Sequence, residues 1–337
     1  MDWMIVSSLI IFAFMIFSGV PIPFGFLVSI IFLTITKGMD PSFLLPVGFT
    51  SLNSVTLLSM PFFIALGYLV TGGSIARRLL DLANAFAGRI PGGLGVVACV
   101  TSAVFGAISG AAASSVIAIG TIMIPEMERH GYPRGYSAAL ISASAVLSTL
   151  IPPSITMIMY AFVTSQSVAA CFLSTVIPGL LLTILFSVVN IYLVRKMPTV
   201  KTLPNISLGE KIALIREKTK PALGAIFLPV LILGGIYGGI MTPTEAAAVA
   251  VIYSIVLSFF VYRELSLGKV FLYLRSSVTA SGTMMLMTFF AAILSRIYTM
   301  ERVPYTVSNI LLGLTENKYI LLLLINVFLV FVGMIVD

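Results

Sequence analysis

Two apolar stretches, each interrupted before it is long enough to cross a bilayer, constrain this chain more than anything else in it. From Val104 to Ile155 it reads VFGAISGAAASSVIAIGTIMIPEMERHGYPRGYSAALISASAVLSTLIPPSI. One segment rises to Ser109-Gly110 and falls away through small residues to a polar turn, Pro125 to Gly135. A second segment runs to Pro152-Pro153, which break it, with Ser154 at the break. Neither half of the first has the roughly 20 apolar residues that a crossing takes. A short rise, a small-residue tip and a short descent predict a re-entrant hairpin. A membrane tolerates such backbone only where protein or a water-filled cavity covers it. Paired interrupted segments are the sequence pointer to a transporter binding site.

The rest of the chain is consistent with a membrane setting. Hydrophobic residues make up 59% and charged residues 9%, against roughly 25% charged in a soluble domain. Mean hydropathy is +1.13. The apolar runs are continuous rather than alternating, so the spans are helical and the fold class is an all-α integral membrane protein, not a barrel. Met1-Asp2-Trp3 carries no basic leader region, so the first span is read as retained. The net charge of +7 collects in a few loops, the pattern of cytoplasmic loops rather than of a nucleic-acid surface, so no nucleic-acid partner is expected. Cys99 and Cys171 stand singly in apolar segments, and His130 is the only histidine. Neither a disulfide framework nor a histidine metal site is expected.

In chain order, residues 1–73 read as scaffold helices. They include a mixed loop at Gly38 to Asn53 and a span Leu57 to Val70, with Pro61 placed at a helix start. Residues 74–92 read as an amphipathic arm lying in the membrane interface, with Ile75, Leu79, Leu82, Ala83 and Phe86 at helical spacing. Residues 93–169 hold the hairpin and the broken helix, and 170–220 a span and the soluble stretch Arg195 to Lys220. That stretch has seven basic residues against Glu210 and Glu217, which places it in the cytoplasm. Residues 221–295 repeat the scaffold, with Glu245 as a helix cap and a span from about Ala280 to Leu294. Residues 296–318 stand where the arm stood, and 319–337 begin a second hairpin within which the chain is read as ending, as a fragment would. Counting spans from a cytoplasmic Arg195–Lys220 stretch brings the two halves in from opposite sides, an inverted repeat.

Several motifs fall in one order: Gly19-Val-Pro, Arg89-Ile-Pro-Gly-Gly-Leu94, Phe105-Gly-Ala-Ile-Ser-Gly110, Ile151-Pro-Pro-Ser154, Ile177-Pro-Gly179, Thr242-Pro-Thr-Glu-Ala246 and Gly333-Met-Ile-Val-Asp337. Together they resemble the DctM-like large membrane subunit of tripartite ATP-independent periplasmic (TRAP) transporters, over essentially the whole chain. The resemblance implies a sodium-coupled importer of organic acids (C4-dicarboxylates, sialic acid or other sugar acids) in the bacterial inner membrane. It implies no enzymatic activity and no cofactor beyond Na+ as coupling ion. It also implies an elevator motion, a small four-helix DctQ-like membrane subunit and a periplasmic DctP-like substrate-binding protein. Ala111 departs from the family pattern, which usually has a second serine there.

Sodium takes oxygen ligands, and unwound backbone at a hairpin tip and at a proline break frees carbonyls. The sodium candidates are therefore Ser109, Gly110, Pro152 and Ser154, with Gly333 and Asp337 from the second half. An intramembrane carboxylate is a functional candidate by default; Asp337 read as a solvated terminus is the alternative. Half-helix N-termini present N–H groups to anions. The substrate candidates are accordingly Ser109, Gly110, Ala111, Pro153 and Ser154, with Arg302 on the outer side. Snorkelling to headgroups is the other use for Arg302, and plain small-residue helix packing the other reading of Gly106 to Ser115. A passive channel remains an alternative function. An intramembrane serine enzyme is a weaker one, because Ser109 would need a base and His130 sits in the polar turn.

Overall fold

The computed structural model describes residues 3–72, 75–87, 89–201, 207–315 and 317–336, with side chains to residue 333. Asp337 lies outside them. The first helix, α1 (Trp3–Phe17), is followed by α2 (Ile22–Lys37), which has proline in its first turn and is closed by Gly38 in the left-handed region at φ 60°. The stretch expected to be a mixed loop is mostly helical. Asp40 caps a short 3-10 turn, Pro41–Phe43, by accepting from the Ser42 amide at 2.9 Å, and α3 (Leu44–Leu52) continues from it. Burial outweighs the prolines here, because Phe43, Leu44 and Val47 pack onto Ile30 and Leu33.

α4 (Val55–Gly72) corrects a second expectation, since Pro61 lies inside the helix rather than at its start. The lost amide hydrogen bond is tolerated because neighbouring helices surround α4 on several sides. α5 (Ile75–Ala87) is the amphipathic element: Ile75, Ala76, Leu79, Leu80 and Ala85 are buried while Arg77, Asp81 and Phe86 are exposed. Then follow α6 (Gly93–Ser109) and α7 (Ala112–Arg129), with Gly110-Ala111 between them. Pro125 falls inside α7, so the polar turn is shorter than the sequence implied. The chain returns as α8 (Arg134–Ala145), a further turn α9 (Leu147–Leu150), and α10 (Ile155–Thr164), bent by 44° from the helix before the break.

α11 (Val168–Val194) is long and rich in the branched side chains Leu, Ile and Val, with Pro178 inside it. The basic stretch after it is not wholly loop. Ser207 and Glu210 form a capping box that starts α12 (Leu208–Tyr237), so its second half is the first turns of a helix. α13 (Pro243–Val256) opens on a matching box between Thr242 and Glu245, which confirms Glu245 as a cap, and runs into a π turn at Leu257–Val261. The last helices are α14 (Leu267–Met300), longer than the span expected there, α15 (Val303–Leu314) and α16 (Lys318–Val336).

Among the described residues five helices are long and apolar enough to cross a membrane, or six if the bent pair counts as one span. The protein is an all-α, multi-pass membrane protein. Its contacts divide it into two bodies, Met1–Asn53 with Thr283–Asp337, and Ser54–Gly282. The first is held by a core of Ile30, Leu33, Ile293, Leu294 and Ile297, and by an ion pair of 2.7 Å between Lys37 and Glu301. In the second, α6 is central: α4, α5, α7, α8, α9 and α11 all pack on it, and α13 lies along α4.

Candidate functional site

The hairpin tip and the helix break, separated by about forty residues of sequence, meet in space. α6 spans 17 residues, about 25 Å at 1.5 Å per residue, short of the roughly 30 Å hydrocarbon core. It ends where Gly110 turns left-handed at φ 62°, with the Gly110 amide capping the Gly106 carbonyl. The Gly110 carbonyl then accepts a hydrogen bond of 3.3 Å from the Ile155 amide, the first residue of α10. The approach depends on glycine twice over, through its φ and through its missing side chain. A Cβ on Gly110 would stand 2.5 Å from the Pro153 carbonyl oxygen. One turn earlier a Cβ on Gly106 would overlap Ser148 in α9.

Backbone oxygens accumulate at this junction. The last carbonyls of α6 lie beyond its final intrahelical donor. Pro152 and Pro153 carry no amide hydrogen, so the carbonyls of Ser148 and Thr149 lose the donors that a continuing helix would give them. The bond between the two prolines is cis. Two hydroxyls join the carbonyls. Ser109 is fully buried, and its Oγ has no hydrogen-bond partner among the described residues. Ser154 is also fully buried; its Oγ accepts from the Met157 amide at 3.3 Å, capping α10 and leaving a second lone pair. α4 closes over the tip, where a Cβ on Gly67 would lie 3.5 Å from the Ser109 Cβ and from the Ser114 Oγ. α11 closes over the break through Gly179, which sits against Ile151.

The junction also holds two helix N-termini. Ala111 is the extended residue before α7 and has no side chain to cap it, so the first amides of α7 have no side-chain acceptor there. α10 begins beside it, with the Ile155 and Met157 amides already committed. The arrangement can therefore do two things: offer a cluster of neutral oxygens to a cation, and free amides to an anion. The orphaned Ser109 Oγ fits a cation bound by hydroxyl and carbonyl oxygen, because a buried hydroxyl left without a partner is costly.

The structure thus brings together Ser109, Gly110, Ala111, Pro152, Pro153 and Ser154. Arg302 and Gly333 belong to the other body. Arg302 precedes α15 at φ 55°, in the left-handed region. Gly333 is exposed on α16, with nothing within 4 Å of where a Cβ would stand. The Asp337 assignment lies outside the described residues. Sequence reasoning passed over Thr101, Ser102 and Ser115, whose hydroxyls are also buried and unpartnered. Ser148, which donates to the Ser102 carbonyl at 2.9 Å, was passed over as well. A polar side chain in a small-residue run was the available signal.

Comparison with known proteins bears on the family of the chain. The family model for the tripartite ATP-independent periplasmic transporter, DctM component, matches residues 9–337. The isethionate TRAP transporter permease protein DctMQ of Oleidesulfovibrio alaskensis is 35% identical over 323 residues, covering 96% of this chain and 50% of that protein. The C4-dicarboxylate TRAP transporter large permease protein DctM of Pseudomonas aeruginosa is 39% identical over 285 residues, 85% of this chain and 66% of that protein. The sialic acid TRAP transporter large permease protein SiaM of Vibrio cholerae is 32% identical, over 96% of this chain and 75% of that protein. The chain thus spans between half and three quarters of the length of these relatives.

Proposed function

Because this chain belongs to the DctM family of TRAP transporter large permeases, we propose that it forms part of a sodium-coupled importer of an organic acid. The relatives' names include isethionate, C4-dicarboxylates and sialic acid, all acids, and a carboxylate or sulfonate is the group that helix N-termini suit. The observation that carries the reading is the hydrogen bond from the Ile155 amide to the Gly110 carbonyl, which joins tip to break beside the buried, unpartnered Ser109 Oγ. Sodium is the cargo that couples the cycle, held by Ser109, the carbonyls around Gly110 and Pro152, and Ser154. The acid's anionic group sits against the first amides of α7, after Ala111, since the Ile155 and Met157 amides of α10 are committed within the protein.

Under this reading the hairpin-bearing part moves against a scaffold as an elevator in the bacterial inner membrane. A DctQ-like four-helix subunit accompanies it, and a DctP-like periplasmic protein delivers the substrate. The test is uptake of labelled organic acids into proteoliposomes holding the full-length subunit and its small membrane partner. Sodium gradient and binding protein are each supplied or withheld. Uptake that requires both supports coupled import; flux indifferent to both replaces it with a passive channel.

A further inference from the structure

Asn190 is out of place in α11. The helix turns large apolar side chains outward along most of its length, yet Asn190 is fully buried. A polar side chain inside a membrane span calls for partners, and this one has them on two other helices. Its Nδ2 donates at 2.8 Å to the carbonyl of Gly92, the residue on which α6 starts. Its Oδ1 accepts at 2.9 Å from the Tyr136 hydroxyl on α8. The α6 backbone can come this close because positions 92 and 95 are glycine. A Cβ on Gly92 would lie 3.2 Å from Nδ2, and one on Gly95 would overlap Oδ1. One amide thus uses a donor and its acceptor to tie the root of α6 to α8 and α11.

At the other end of α6 the Gly110 carbonyl holds the Ile155 amide. The helix is pinned at both ends, and a rigid helix transmits register from one to the other. A slip of α6 by a single residue's rise, about 1.5 Å, would break the amide's bonds at the root and carry Ser109 away from the break. We propose that Asn190 is a positioning residue that sets the register of α6, so that the tip meets the break at Pro152 to Ser154. The inference rests on reading that junction as the sodium site. Asn190 itself touches neither ion nor substrate, and its effect passes through α6.

The experiment uses the full-length subunit with its small partner and binding protein in proteoliposomes. Asn190→Leu leaves the Tyr136 hydroxyl without its acceptor and cuts the tie from α11 to the Gly92 carbonyl, which keeps only the Gly95 and Val96 amides of its own helix. The sodium concentration for half-maximal uptake is expected to rise by about tenfold, with the maximal rate changed by no more than about threefold. Tyr136→Phe removes one bond and shifts the same constant less. A Gly95→Cys/Asn190→Cys pair, with Cys99→Ser and Cys171→Ala, replaces the amide by a covalent pin across the same gap. Its oxidised form is expected to regain sodium dependence within about twofold of the parent, and to lose it on reduction. A fall in maximal rate with sodium dependence unchanged in Asn190→Leu would mean a merely structural role and overturn the proposal. So would an oxidised pair that stays impaired. If the wild type proves indifferent to sodium, the functional reading fails, and hydrogen exchange decides the inference separately. Faster exchange at both Gly93–Gly95 and Ile155 in Asn190→Leu sustains it; unchanged exchange at Ile155 removes it.

Discussion

α6 and α11 lie side by side, and both are uncharged apolar helices, yet they solve opposite problems. α6 is built from Gly93, Gly95, Ala98, Thr101, Ser102, Ala103, Gly106 and Ser109, and all of these are buried. α11 is built from larger residues, and Leu173, Ile177, Leu180, Leu181 and Ile184 are all exposed on the protein. Lipid tails are as apolar as leucine, so large side chains facing outward gain nothing by packing on protein instead. Small side chains let backbones approach closely. Large apolar residues of α6 such as Leu94, Phe105 and Ile108 are buried too, so the difference between the two helices is that small residues let α6 be enclosed on all sides, whereas α11 leaves a row of large ones uncovered. Hydroxyls follow the small residues inward, and the candidate site is where they end.

The sharpest way to break the comparison is to give α6 an α11-type residue. Gly106→Leu would drive a side chain into the Ser148 backbone, which has no flexible end to yield. A loss of at least about 3 kcal/mol, or failure to accumulate in the membrane, is expected. Thermal unfolding in detergent measures it. A variant with near-parental stability would mean that α6 and α9 are not packed as closely as described.

This contrast explains what could be read from the sequence. The tip at Ser109-Gly110 and the break at Pro152-Pro153 were legible, because glycine and proline act locally on backbone. The helical span of α5 was legible too, but its face only in part: Ile75 and Leu79 are buried as read, whereas Phe86 is exposed and Ala76, Leu80 and Ala85 are buried instead. The positions of Pro61 and Pro125 inside helices were not, because surrounding helices override the local penalty of proline. The continuation of α12 into the basic stretch was readable in principle from the Ser207 and Glu210 spacing, but composition hid it. Above all, the bond from Ile155 to Gly110 and the role of Asn190 join residues far apart in sequence. No local pattern records which carbonyl an amide will find.

The next two predictions concern the hydroxyls that mark the end of α6. Ser109→Ala removes an oxygen that holds no protein partner, so it is expected to leave thermal stability unchanged or slightly raised. The sodium concentration for half-maximal uptake should nevertheless rise by about tenfold, near 1.4 kcal/mol of binding. Unchanged sodium dependence would remove Ser109 from the site. Ser154→Ala has the complementary signature. It deletes the cap on the Met157 amide and is expected to cost about 1 kcal/mol of stability, read as a lower unfolding temperature. Because Ser154 is also placed at the sodium site, its alanine variant is expected to weaken sodium activation as well, so the stability loss is what separates the two serines.

The smallest effect belongs on the outward face of α11. Leu180 and Ile184 are 53% and 62% exposed, one turn apart. Replacing either with alanine exchanges side-chain contact with acyl chains for contact between acyl chains and a shorter side chain. No protein cavity forms, so the cavity cost that follows truncation in a packed core is absent. A change within about 0.5 kcal/mol is expected for each, with sodium dependence untouched. Paired unfolding measurements in detergent and in lipid nanodiscs would check it. A loss above about 2 kcal/mol at either position would show that protein covers that face in the assembled transporter. The uncovered row on α11 would then be an interface rather than a lipid-facing surface.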